Sequence, residues 1–505
     1  MLSALQTVPP LQLAGIVLGL LVAYPILEYF ISAIVYRRKA RAHGCKLPLT
    51  YPHKDPIWGL DFTWKMIKSG KSKTALAESQ SRFHTIGNTY YGVALGVKTI
   101  MTCEPEIVKN ILALKFHDFS LPSLRKKCFH PIFGKGIFTT DGKEWEHSRG
   151  MLRPNFARAQ VADLNNFESH IAQLINRIPQ DGSTVDLQDL FFDLTLDSAT
   201  EFLFGESSNT LAYKGEDDFA SAFNCVTNKL IMNLQLGMAE GLPDRQYKKS
   251  LATVHNFTDR YVQKALRHYY ASQMGTLAPE KVDNRYVFLH ELVKQTQDPL
   301  TLRSEALNIL LAGRDTTASL LADLWNMISK RPDVWAKLLA EVDQLNGEKP
   351  TFEKIKTMKY LRYCLNEALR LFPVVPLNSR SAVRDTVLPI GGGPDGKSQL
   401  FVPKGTVVSY NVYAMQRRTD LYGPDAAEFR PERWEKLRPG WEYLPFNGGP
   451  RICLGQQYAL AEASYTTIRL MQHFRTIESR DPEPWTEWLT ITCASANGAK
   501  VVLRR

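Results

Sequence analysis

The run of apolar and polar positions divides this chain into an uncharged beginning, a long helical middle and a mixed, β-rich end. Met1 to Leu27 carries no charge, and apolar character continues to about Val35, interrupted by Pro25 and Glu28. A bilayer-spanning helix needs roughly 20 mostly apolar residues, so 11–35 is long enough. Arg37, Arg38, Lys39 and Arg41 follow at once; by the positive-inside tendency they would hold the downstream chain in the cytosol. A cleaved signal peptide wants a positive charge before the apolar run and small residues at a cleavage site, and neither stands out. The expectation is therefore a membrane anchor over 1–36. A basic linker over 37–56 follows, stiffened by Pro48, Pro52 and Pro56.

Beyond residue 57 a helical stretch mixes with strand-like runs such as Tyr90–Val97. From about Lys143 to Lys337 the pattern is mostly helical, with turn signals at Pro179–Gly182 and Gly241–Pro243. Thr301–Lys330 reads as a long apolar helix stopped by Arg331-Pro332, and Lys359–Phe372 as another ended by Pro373. Val383–Tyr413 is rich in β-formers and contains the turn Gly391–Gly396, and a last helix should begin near Leu454. No Pro/Gly/Ser linker splits 57–505. The pattern predicts a mainly α body with a small β region, one catalytic domain behind the anchor.

Composition narrows the function. The chain has 505 residues, 44% hydrophobic and 22% charged, which excludes a disordered chain. Its 62 Lys+Arg against 51 Asp+Glu give +11, a balance suited to nucleic acid, anionic lipid or an acidic partner. No helix-turn-helix, zinc-finger or RNA-binding pattern is present, so nucleic acid is not an expected partner. Seven cysteines, odd in number, scattered and without CxxC spacing, exclude a disulfide framework or a zinc site and point to a reducing compartment.

One cysteine has special surroundings, in Phe446-Asn447-Gly448-Gly449-Pro450-Arg451-Ile452-Cys453-Leu454-Gly455. A thiolate bound to haem iron must stay deprotonated, which nearby positive charge and the amides of a following helix favour. Backbone must approach the porphyrin closely, which Gly449 and Gly455 permit because they lack a Cβ. Arg451 suits a charge-assisted fork to a propionate, and Phe446 can wall the sulfur from water. A buried structural cysteine in a Gly-rich turn is the ordinary alternative. Five positions match F-x-x-G-x-R-x-C-x-G together, a coincidence on the order of one in ten thousand from average residue usage.

On these residues the chain resembles the cytochromes P450, and other segments fall in that family's order over nearly everything after the anchor. The resemblance implies haem b (iron protoporphyrin IX), with Cys453 as the axial ligand of the iron. Glu367-Ala368-Leu369-Arg370 matches the family's E-x-x-R, and Arg433 in Pro431-Glu432-Arg433-Trp434 is implied as the third member of a network bracing the cysteine loop. Trp145 and Arg149 match W-x-x-x-R, and with Arg380 they are implied to reach haem propionates. Ala312-Gly313-Arg314-Asp315-Thr316-Thr317 matches A-G-x-D-T-T, where Thr316 would hydrogen-bond bound oxygen and Asp315 would help relay protons.

The segment from Val402-Pro403-Lys404-Gly405 to Phe429-Arg430-Pro431-Glu432-Arg433-Trp434 is especially similar to the alkane-inducible P450s of yeasts and filamentous fungi. It implies terminal hydroxylation of n-alkanes or fatty acids, with Val374, Val375, Leu377, Leu311 and Ala312 lining the pocket. Ala312 departs from those animal fatty-acid hydroxylases that carry a haem-esterifying glutamate there. The same scaffold also implies a second substrate class, a fungal polyketide, terpenoid or alkaloid. A haem protein that only binds or passes electrons is the reading from another class. Since no flavin or nicotinamide motif accompanies the haem loop, the resemblance implies NADPH–cytochrome P450 reductase as partner, at an endoplasmic reticulum membrane with the catalytic domain cytosolic. Lys143, Arg149 and Arg153 are candidates for a docking face.

Overall fold

Capping residues and prolines decide where the helices start. In the computed structural model, which describes residues 10–156, 164–212, 218–237, 244–275 and 286–505, the long apolar helix runs Pro299–Ser329. It begins two residues before the pattern predicted. The Asp298 carboxylate accepts from the amides of Leu300 and Thr301 at 3.4 and 2.9 Å, and Pro299 sits where no intrahelical N–H is needed. The Pro373 helix is Lys359–Leu371, and the helix after the cysteine starts at Gln456, two residues beyond the expected Leu454, and ends at His473.

The chain forms two compact units, each assembled from separated stretches. The first takes 1–68, 80–120 and 379–410. Helix α1 is Pro10–Ala42. Its C-terminal end is tied within this unit: Tyr36 donates to the Phe401 carbonyl (3.2 Å) and Lys39 pairs with Asp385 (2.7 Å). Among the described residues no helix is long and apolar enough to cross a membrane. The anchor expected over 1–36 falls partly on residues outside the description.

A six-stranded sheet belongs largely to this unit: β1 (Leu49–Thr50), β2 (Thr89–Ala94), β3 (Val97–Thr102), β4 (Phe119–Ser120), β5 (Leu377–Ala382) and β6 (Val407–Asn411), in the order β1-β2-β3-β6-β5-β4. The strand-like run Tyr90–Val97 is thus not one strand but parts of two. β2 and β3 pair antiparallel from Thr89↔Thr102 to Ala94↔Val97, reversing at Leu95 and Gly96 with φ of 47° and 75°. Positive φ at both positions is the type I′ geometry, whose twist matches that of the flanking strands. A periodic pattern cannot show a reversal that a leucine occupies.

The second unit holds the helices that carry the chemistry: α2 (Gly142–Leu152), α3 (Leu187–Phe204), α4 (Asp218–Gln235), α5 (Pro299–Ser329), α6 (Lys359–Leu371) and α7 (Gln456–His473). A short hairpin, β7 (Glu487–Leu489) and β8 (Cys493–Ser495), closes its C-terminal part. The core is built on α5, whose Leu321, Leu324, Trp325 and Ile328 are fully buried against Leu365 of α6 and Ile468 of α7. Burial of each such side chain contributes roughly 1.5–3 kcal/mol. The result is mainly α with a small β region, as the pattern predicted. The turn expected at Gly241–Pro243 lies outside the described residues.

Candidate active site

All seven cysteines are free; five are buried, Cys225 is half-buried and Cys453 alone is exposed. The Cys453 loop is turned by residues that tolerate unusual backbone. Asn447 and Gly449 hold φ of 61° and 68°, and a Cβ on Gly448 would come within 2.7 Å of the Trp441 ring. Phe446, packed on the core, accepts the Cys453 amide through its carbonyl at 3.0 Å. Burial pushes the Cys453 thiol up, while the Gly455 N–H and the charge of Arg149 pull it down. An anion at this sulfur therefore has one amide and one guanidinium in place, the two kinds of support the motif suggested.

Helix α2 brings its share of the site through i,i+4 spacing. Trp145 is buried, with the guanidinium groups of Arg149 and Arg451 5.8 and 4.3 Å from its ring centroid. Arg451 also donates to the Thr140 carbonyl (3.0 Å) and pairs with Asp141 (2.8 Å). Asp141, which sits just before α2 and also binds the Leu121 amide at 3.1 Å, went unnoticed in the sequence because nothing in the spacing ties it to residue 451. Ser148, between the two propionate candidates, donates to Glu305 of α5, whose carboxyl burial pushes up to about 7.

Helix α5 is buried from Ser304 to Leu311 and from Thr317 to Asn326, and opens at Ala312, Gly313, Asp315 and Thr316. It stays helical through this stretch, with the Thr316 hydroxyl donating to the Ala312 carbonyl at 2.7 Å. Thr195 of α3 donates to the Arg314 carbonyl at 2.7 Å. Arg314 and Asp315 form an ion pair at 3.3 Å, and Arg314 also donates to Asn224 of α4 at 2.6 Å. Burial raises the Asp315 carboxyl, with Arg314 opposing. Asp315 lines a cavity of about 350 Å³ together with residues of α3, α4 and the β7–β8 hairpin.

Of the aliphatic positions expected in a pocket, Val375 and Leu377 are open and Ala312 half-open, whereas Val374 and Leu311 are buried. Thr317 turns away from Thr316 and hydrogen-bonds Glu462 of α7, which also takes the Ser198 hydroxyl; burial pushes Glu462 up to about 7. Arg380 belongs to the sheet unit, where it is buried and donates to the Ser379 carbonyl at 2.8 Å.

Glu367, Arg370 and Arg433 form one cluster. Glu367 accepts from Arg370 Nε and Nη2 (2.9 and 2.8 Å), Arg433 Nε (2.8 Å), the Arg430 amide (3.0 Å) and the Trp434 indole (2.9 Å). The remaining N–H groups of Arg370 go to the carbonyls of Gln416, Ala426 and Glu428. A buried ion pair is tolerable only when its lone pairs and protons are met in this way.

An accessible sulfur with an amide and a cation beside it, two arginines against one indole, and a small-residue opening in a buried helix fit a flat anionic iron macrocycle. Comparison with known proteins agrees. Residues 55–498 match the family model described as Cytochrome P450. The chain is similar to cytochrome P450 monooxygenase himC of Aspergillus japonicus, 48% identical over 91% of this chain and 84% of the relative. It is also similar to cytochrome P450 monooxygenase fsdH of Fusarium heterosporum (46%, over 94% and 86%) and cytochrome P450 52A12 of Debaryomyces hansenii (43%, over 93% of each).

Proposed function

The chain belongs to the cytochrome P450 family of haem b monooxygenases, and from that premise we propose that it hydroxylates an aliphatic C–H bond of a functionalised lipophilic molecule, with Cys453 as the iron ligand. The observation that carries the assignment of the ligand is the accessible Cys453 sulfur with the Gly455 amide and Arg149 beside it.

Haem b, when bound, supplies the redox-active iron at which dioxygen is activated. Each other role falls to the protein. Arg149, Arg451 and Trp145 would hold the propionate edge, Arg380 would add to that hold, and Gly449 and Gly455 would admit the ring plane. Phe446 would wall the sulfur from water once the ring is in place. Thr316 holds its hydroxyl at the opening of α5, where it could turn from the Ala312 carbonyl to donate a hydrogen bond into the open stretch. Asp315, with its carboxyl raised, is suited to passing a proton toward that hydroxyl. The family implies an electron-donating protein partner; NADPH–cytochrome P450 reductase is the one proposed, and attachment to the endoplasmic reticulum membrane through 1–36 belongs to the same proposal.

Two substrate classes divide on one observation. The n-alkane or fatty-acid reading rests on the resemblance of 402–434, and the tailoring reading on the polar wall of the Asp315 cavity. That cavity is lined by Phe192, Ile231, Trp488 and Ile491 as well as by its acids, so it suits a molecule with both apolar and polar parts. Reconstitution with reductase and NADPH should yield hydroxylated product, and the reduced, carbon-monoxide-treated protein should show the Soret band of thiolate ligation. Turnover with organic hydroperoxide alone would overturn the monooxygenase assignment. A deletion strain that fails on alkane while its metabolite profile is unchanged would overturn the choice of substrate.

A further inference from the structure

One buried acid of α5 stands outside the chemistry assigned above. Glu305 is 1% exposed, and among the described residues no cation acts on it, although burying a carboxyl without one is costly. Its contacts lead to both arms of the propionate site. The Ser148 hydroxyl donates to its Oε1, and Ser148 stands between Trp145 and Arg149 on α2. The Ile137 N–H acts on the same carboxyl, and the Ile137 carbonyl accepts from Arg451 at 3.5 Å. Ile137 is therefore held from α5 on its amide side and by the arginine on its carbonyl side. One turn further along α5, Asn308 grips the same segment. Its amide donates to the Phe133 carbonyl at 3.0 Å, and its carbonyl accepts from the Phe138 N–H at 3.1 Å. A Cβ on Gly136 would come within 2.4 Å of Asn308 Nδ2, so the segment 133–138 lies directly on the helix. The Thr140 hydroxyl closes the turn on the Gly136 carbonyl at 2.8 Å, while the Thr140 carbonyl accepts from Arg451.

We propose that Glu305 is a positioning residue for the carboxylate edge of the cofactor, setting Arg451 through Ile137 and the Trp145–Arg149 face of α2 through Ser148; this rests on the reading of those three side chains as propionate holders. A guanidinium fork meets an anion well only when its plane is fixed in advance. Asp141 and the Ile137 and Thr140 carbonyls fix the plane of Arg451. Two of those three acceptors are loop backbone, and a loop holds an atom in place only where it is itself held. The grip comes from α5: Asn308 takes the loop alone, and Glu305 takes the loop and α2 together. Burial pushes the Glu305 carboxyl up to about 7. Below neutrality it is an uncharged group that holds both arms by hydrogen bonds and sets no negative charge against the propionates.

The test follows loss of haem from the holoenzyme to apomyoglobin, at a pH of about 6 where the acid holds its proton. Glu305→Ala should speed the loss about tenfold, the scale of one or two hydrogen bonds. Glu305→Gln keeps an acceptor in the same place and should stay within about twofold of wild type. Arg451→Leu should speed the loss by about tenfold or more, and Glu305→Ala added to it should contribute less than about threefold, because members of one network are not additive. A residue that merely stabilised the fold would multiply with Arg451→Leu and would not be rescued by glutamine. Ser148→Ala leaves α5 intact, should speed the loss about threefold, and decides the matter if Glu305→Ala does not fold. The proposal is overturned if Glu305→Ala and Ser148→Ala lose haem at the wild-type rate, if glutamine behaves as alanine does, or if the Glu305 and Arg451 effects multiply. Fast loss from Arg451→Leu with none of the expected Glu305 effects sinks this inference alone. An Arg451→Leu protein that keeps its haem as wild type does sinks the propionate reading beneath it.

Discussion

Glu367 and Asp315 are both buried acids with an arginine close by, yet their surroundings are opposite. Glu367 meets five donors, and every N–H of Arg370 has an acceptor. Asp315 has one arginine at 3.3 Å and, with it, lines a cavity. A saturated buried charge has nowhere to send a proton and nothing to offer a ligand; it fixes geometry. An acid left short of partners keeps a raised, mobile proton. The contrast separates the brace from the working site without reference to any motif.

Four experiments would break or sharpen that contrast. The largest effect belongs to Cys453→Ala, which should abolish the thiolate Soret band and NADPH-driven turnover while the circular dichroism spectrum stays native. Retained turnover would remove the site from this sulfur. Next is Glu367→Ala, which strands Arg370 and Arg433 in the interior. Breaking a buried pair from one side costs about 3–5 kcal/mol, so chemical denaturation should show a loss of that order together with poor haem incorporation. If stability were unchanged, the brace would be ornamental.

Thr316→Val tests the other side of the contrast. It removes a hydroxyl from the open stretch of α5 and should leave stability within about 1 kcal/mol. Product formed per NADPH consumed should fall, by up to about a hundredfold if proton delivery is lost. Coupled, undiminished hydroxylation would remove Thr316 from the chemistry.

The smallest effect concerns pH. Glu462, bound by the Ser198 hydroxyl and by Thr317, has its folded value raised from 4.5 to about 7 by burial. The folded state therefore holds a proton that the unfolded state releases, and stability falls as pH climbs from about 4.5 to about 7, then levels off. Glu305 acts in the same direction over the same range. Glu462→Gln should remove part of this slope, at most about 1.4 kcal/mol per pH unit. Urea unfolding at pH 5, 6, 7 and 8 measures it; a slope identical to wild type would show that Glu462 is ionised throughout.

Much of the helical framework was legible along the chain. Asp298-Pro299 and Pro373 bound their helices within two residues of the pattern, because caps and prolines act through local geometry. The β2–β3 reversal was not legible, since Leu95 gives no turn signal. The Cys453 loop could be read because its glycines and cysteine are close in sequence. Asp141, 312 residues before Cys453 in the chain, could not be connected to Arg451, nor could Asp189 and Asp193 be connected to Asp315.

What the residues alone determined is therefore the chemistry that short spacings encode: a cysteine flanked by glycines, an Asp-Thr pair in an apolar helix, and a mainly α body with a small β region. Only the tertiary structure decided which acids are saturated with donors and which line a cavity. The reason is electrostatic. A carboxylate's proton affinity depends on burial and on charges within a few ångströms, and those neighbours come from α3, α4 and α5, far apart along the chain.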